Sequence, residues 1–168
     1  MTAADISFVI EPRAPVESVG EAPDRAWSWQ NPFLGRLGIT TAGQRLHIAQ
    51  EGGGDAAYGQ YLYANLLALA DVLAAWPAVV DGAVPMVDEP VTLLLEAAGA
   101  GCLCLCFEAL GERGPSAVVG LADSRRALAG ALRDYAAWLE SHLVGHRQRQ
   151  VALDALAHQA LVLERTSA

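Results

Sequence analysis

The run from Pro90 to Leu110 constrains this chain more tightly than any other part of it. Val91, Leu93, Leu95 and Ala97 alternate with Thr92, Leu94 and Glu96, and Cys102, Cys104 and Cys106 alternate with Leu103, Leu105 and Phe107. Period two is the signature of strands, because successive side chains leave a pleated backbone on opposite sides. Gly99-Ala100 between the two runs suits a two-residue hairpin turn with glycine at its first central position, where φ must be positive. The return strand is apolar on both faces, which predicts a central strand covered above and below. With that turn, the thiols share a face with Leu93, Leu95 and Ala97 beneath a helix layer. Glu96 and Glu108 then fall on opposite faces.

The flanking sequence supplies the other layers. Ile6 to Glu11 reads as a strand ended by Pro12 and Pro15, followed over 12–31 by an irregular crossing that finishes at Trp27 and Trp29. Phe33 to Thr40 and Arg45 to Gln50 read as a second hairpin, with Gly43 in the left-handed position. A first helix is predicted from Tyr58 to Trp76, where Leu62, Leu66, Leu69, Leu73 and Trp76 recur at helical spacing and Pro77 stops it. Asp81-Gly82 and 87–90 read as a lead-in to the hairpin, and Ala117 to Leu121 as a third strand of that sheet. A helix capped by Asp123 or Ser124 runs to about Leu143, with Leu128, Leu132, Tyr135, Leu139 and Leu143 inward and Arg125, Arg126 and Arg133 toward water. After a break at Gly145, a last helix over about 147–164 closes the chain, 146–168 forming a C-terminal helix and tail. The predicted order β-ββ-α-βββ-α-α is an α+β fold with a largely antiparallel sheet, in a single domain spanning 1–168.

Charge narrows the partners. The 168 residues carry a net charge of −8, and all 11 basic residues are arginine. A nucleic-acid surface needs clustered cations to displace counterions, so none is expected here. The absence of lysine beside abundant alanine is what a GC-rich bacterial coding sequence produces. No stretch is apolar enough to predict a membrane span, and the first ten residues lack a basic, then apolar, leader pattern. With an odd number of cysteines, alternating along one strand, a reducing cytoplasm is the predicted home.

The residues that could carry chemistry do not assemble a known site. Alternate thiols on a strand lie roughly 6.5–7 Å apart, whereas a tetrahedral zinc site brings its sulfurs to about 3.7 Å. Cys102, Cys104 and Cys106 are therefore read as packing residues. His142 and His146 have metal-binding spacing, but Gly145 lies between them and no further ligand completes a zinc pattern. Glu51-Gly-Gly-Gly-Asp55 resembles a phosphate loop only in its glycines, since no Gly-Lys-Ser/Thr follows. No nucleophile elbow, dinucleotide fingerprint or P-loop is present, so no catalytic, cofactor-binding or metal-ligating residue is assigned.

The layout from Leu37 to Leu143 resembles the small α+β immunity proteins of bacterial toxin systems. The likeness is carried by 66–76 (Leu-Leu-Ala-Leu-Ala-Asp-Val-Leu-Ala-Ala-Trp), 87–96 (Val-Asp-Glu-Pro-Val-Thr-Leu-Leu-Leu-Glu) and 135–139 (Tyr-Ala-Ala-Trp-Leu). It is a likeness of arrangement, and it implies a protein that binds and neutralises another protein without catalysis. Acidic type III secretion chaperones are a second likeness, though the chain lacks their opening helix. Glu51, Asp55, Asp81, Asp88 and Glu89 are the candidate partner-binding residues, an acidic face suited to a basic toxin or effector. The alternatives are a self-associating structural domain and a metal or thiol enzyme. The nearly all-round apolar first helix predicts a homodimer.

Overall fold

Alternating side chains build seven strands among the described residues, and leucine stripes at helical spacing build three helices. The computed structural model describes residues 5–12, 33–46, 61–78, 81–86, 90–143 and 148–167. In chain order the elements are β1 (Ile6–Pro12), β2 (Gly35–Thr41), β3 (Gln44–Leu46), α1 (Leu62–Ala75), β4 (Asp81–Pro85), β5 (Val91–Ala97), β6 (Cys102–Ala109), β7 (Glu112–Gly120), α2 (Leu121–His142) and α3 (Arg149–Arg165). Strands β1-β2-β3 form one antiparallel sheet and β4-β5-β6-β7 a second. The fold is α+β, as predicted.

The first sheet turns one face inward. Phe8 pairs with Ile39 and Ile10 with Leu37, and Leu46 lies beside Ile39 on the same side. The β2–β3 link is a two-residue turn, Ala42-Gly43, with both φ angles positive at 49° and 76°. Such a mirror-image turn matches the right-handed twist of its strands. The sequence placed Gly43 correctly there. Residues 47–50, read as part of this hairpin, lie outside the described residues, as do Trp27 and Trp29.

The helical stripes hold as read. Leu62, Leu66, Leu69, Leu73 and Trp76 of the first helix are all buried, and so are Leu128, Leu132, Tyr135, Leu139 and Leu143 of the second. In α3, Leu156, Ala160 and Leu163 are buried, while Ala152 takes the deepest place near its start and Leu153 is half-buried. All but Ala152 join or pack against Leu93, Leu95, Leu103, Leu105 and Val119 of the larger sheet in one core. The additional apolar residues of α1, Tyr63, Leu67, Ala68, Val72 and Ala74, also pack against that core. Asp71 on the polar side of α1 accepts a 2.7 Å hydrogen bond from Gln159 Nε2, which ties α1 to α3.

Three boundaries differ from the sequence reading. Asp81–Pro85 is a fourth strand of the larger sheet rather than a lead-in. Its sequence, Asp-Gly-Ala-Val-Pro, reads as a turn because Gly82 looks like a breaker. The glycine is there for a different reason: a Cβ at Gly82 would stand 2.7 Å from Val72 Cγ1 of α1, so helix and strand approach too closely for a side chain. Strand β7 is also longer than predicted, beginning directly after a two-residue turn at Leu110-Gly111, whose φ angles are 53° and 84°. Helix α2 starts at Leu121, with Gly120 as its N-cap, so neither Asp123 nor Ser124 caps it. Ser124 Oγ instead donates to the Gly120 carbonyl at 2.8 Å, and Asp123 in the first turn complements the positive end of the helix dipole.

Arg125 corrects the sequence reading most sharply. Predicted to face water, it is buried to 7% exposure. Its Nε donates to the Leu73 carbonyl at 2.9 Å, and its terminal nitrogens donate to the carbonyls of Trp76 and Thr166. Those acceptors lie at the C-terminal ends of α1 and α3, where the last carbonyls lack partners within their own helices and the dipole is negative. One guanidinium on α2 thus fastens the ends of two other helices. Burial lowers its pKa from the ordinary arginine value, the mark of a cation taken out of water without a carboxylate beside it.

Candidate partner-binding face

The central hairpin determines what the second face of the larger sheet presents. Ala98 N donates to the Cys102 carbonyl and Cys102 N to the Gly99 carbonyl, both at 3.1 Å, so the loop is the three residues Gly99-Ala100-Gly101. Gly99 (φ 113°) and Gly101 (φ 72°) take the conformations that L side chains avoid. The two-residue turn read from the sequence is one residue too short. Because side chains alternate, one residue of register moves every side chain to the other face.

The consequences are specific. Leu93 pairs with Phe107, Leu95 with Leu105 and Ala97 with Leu103, and these sides face the helices. The thiols do not lie beneath the helix layer with Leu93 and Leu95. Cys104 pairs with Glu96 and Cys106 with Leu94, on the outer face. Glu96 and Glu108, predicted to lie on opposite faces, therefore share this one. No outer-face residue belongs to the core cluster that holds the helices, and no described helix packs here. The return strand is covered on one side by that core, and its outer side is only half-buried at Cys102 and Cys104.

A bulge completes the surface. Between Cys106 and Glu108 the β6–β7 register slips, with Gly114-Pro115 opposite the single residue Phe107. Proline has no N–H to give a ladder, so a bulge is one of the few places a strand accepts it. The slip re-aims Arg113, placing it beside Glu108 on the outer face. Arg113 Nη1 donates to Glu96 Oε1 at 2.8 Å and its Nε to Glu108 Oε2 at 3.4 Å, so one side chain on β7 spans to β5. The bond to Glu96 is the main reason its pKa is raised. Cys106 lies between Glu96 and Glu108 in this register and is 5% exposed, though outside the core cluster. Burial pushes its thiol up, and the nearby Arg113 charge only partly opposes that.

Of the five predicted partner-binding carboxylates, the structure describes one. Asp81 is exposed on edge strand β4, directly opposite Glu96 on the outer face, and makes no ion pair among the described residues. Glu51, Asp55, Asp88 and Glu89 lie outside the described residues, and so does His146. His142 stacks on Trp138 with ring centroids 4.1 Å apart, and its Nδ1 lies 2.8 Å from the Trp138 carbonyl and 2.8 Å from Ser141 Oγ. That nitrogen is taken up by its own helix turn. Among the described residues no group of three or more His, Cys, Asp or Glu side chains could hold a metal ion.

The sequence reading missed the Glu96–Arg113–Glu108 network. Its signal was present in Pro115, a residue that an interior strand position cannot hold without a bulge. Chemically the face offers half-exposed apolar side chains (Leu94, Val118, and the Cys102 and Cys104 thiols) interleaved with carboxylates. No protein-family model, curated protein or solved structure matches the chain. No helix among the described residues is long and apolar enough to cross a membrane.

Proposed function

We propose that this protein is a non-catalytic protein-binding module that neutralises a basic partner in the manner of a bacterial immunity protein, acting in the cytoplasm. The observation that supports the reading is Asp81: an exposed carboxylate without an ion pair among the described residues, held directly opposite a second carboxylate, Glu96. Like charges facing one another across a strand pair disfavour the isolated fold. They are tolerable where a cation is to be received. In a chain of net charge −8 without a lysine, such a corner accelerates encounter with a cationic protein by long-range attraction.

The partner to test is the product of a toxin or effector reading frame adjacent to the gene. Association rates are measured by stopped flow at several salt concentrations for wild type and for Asp81→Arg combined with Asp88→Arg and Glu89→Arg. The triple variant is expected to associate at least about tenfold more slowly at low salt, with a flatter salt dependence and a melting temperature no lower than that of wild type. Equal rates for both forms, or no binding by either, contradict the proposal.

A further inference from the structure

We propose that the outer face of the sheet β4–β7 is the docking surface, and that its occupant is a basic, extended segment of the partner polypeptide. The inference rests on the protein-binding reading above and adds the place of contact and the chemistry of what fills it. The inward residues Leu93, Leu95, Leu103 and Leu105 share one core with the helix leucines, and no outward residue of the sheet belongs to it, so the described elements leave this face without a layer. On it lie half-exposed apolar side chains, Leu94 on β5 opposite Cys106, Cys102 and Cys104 on β6, and Val118 on β7 opposite Cys104. Large apolar side chains exposed elsewhere among the described residues are scattered, at Val9, Leu110, Val151 and Leu161.

Charge selects the occupant. Asp81, Glu96 and Glu108 face outward, and among the described residues only Arg113 offsets them. A second copy of the same face would set these carboxylates against their own kind, which opposes self-stacking. A segment with arginine or lysine on alternate residues meets both features at once. Its cations reach Asp81 and the free edge of Glu96, and its apolar residues cover Leu94, Cys104 and Val118. An extended segment also shares the two-residue repeat of the face it would cover.

The thiols on this face report occupancy without any mutation. The full chain is treated with N-ethylmaleimide, and modification at each cysteine is followed by mass spectrometry. The probes are an alternating Arg/Val decapeptide and an alternating Glu/Val decapeptide. Saturating Arg/Val peptide is expected to slow labelling of Cys102 and Cys104 at least fivefold, with protection fading as salt rises, while the Glu/Val peptide protects neither. Leu94→Arg, which sets a cation in the middle of the face, is expected to abolish the protection. Saturable binding of the Arg/Val peptide with no thiol protection would overturn the docking surface and leave the protein-binding reading standing. Failure of that peptide to bind overturns the basic-segment inference, and the adjacent-gene partner then decides the broader reading separately. Protection that grows with protein concentration in the absence of peptide would assign the face to a second copy and overturn the inference as well.

Discussion

Replacing Arg125 with methionine is expected to cost about 3 kcal/mol of folding stability, more than any other arginine among the described residues. Methionine keeps the apolar stem and removes the three hydrogen bonds to Leu73, Trp76 and Thr166. A hydrogen bond from a charged donor contributes roughly 1.5–3 kcal/mol. The full sum is not expected, because removing the guanidinium also removes the cost of keeping a cation out of water. In a chain of this size that loss corresponds to a melting temperature lower by roughly 6–12 °C. Arg125→Lys should recover only part of it, since an ammonium keeps the charge but lacks the planar fork that reaches three carbonyls. Urea unfolding of the three proteins measures the differences. A methionine variant within about 0.5 kcal/mol of wild type would show that the helix ends are held together by leucine packing alone.

Leu95→Ala should be nearly as damaging, and its neighbour Leu94→Ala should not. Leu95 is 0% exposed among the helix leucines, and emptying such a site costs roughly 2–5 kcal/mol through lost burial and the cavity left behind. Leu94 is half-exposed on the outer face, where truncation removes little buried area and should cost under about 1 kcal/mol. The pair reads which face of β5 carries the core; the turn is read by the thiols instead, because the two-residue turn expected from Gly99-Ala100 leaves Leu95 inward but moves the thiols in with it. Denaturant midpoints with unchanged slopes give the two costs. Equal costs at 94 and 95 would mean that a packed layer covers both faces of β5.

The parts of the fold legible in the sequence are those that depend on periodicity within one segment. The stripes of α1, α2 and α3 could be read because each buried leucine recurs at helical spacing along its own helix. The strands β5 and β6 were equally plain, and so was the α+β class. What escaped depends on single residues whose effect is decided elsewhere in space. One extra glycine in the loop, Gly101, changed which face the cysteines occupy, and period two cannot signal a shift of one. Strand β4 was hidden because Gly82 answers to α1 across the core and not to its own strand. Arg125 looked solvated because a helical wheel shows the angle of a side chain but not the carbonyls that wait there. The candidate face was half legible. Asp81 was picked out for its charge, while its neighbour Glu96 was placed on a face of its own, apart from Glu108, by the wrong turn.

The central claim is that the thiol row belongs to an open sheet face, and native-state thiol reactivity tests it most directly. Folded protein is exposed to N-ethylmaleimide in the absence of denaturant, and each cysteine is quantified by peptide mass. Cys102 and Cys104 are expected to react from the native state, at rates that do not track global unfolding. Cys106, 5% exposed and with its thiol pKa raised by burial, is expected to react far more slowly. If all three cysteines instead react together, and only at the rate at which the whole chain unfolds, the thiols lie beneath a packed layer and the outer face is not the docking surface.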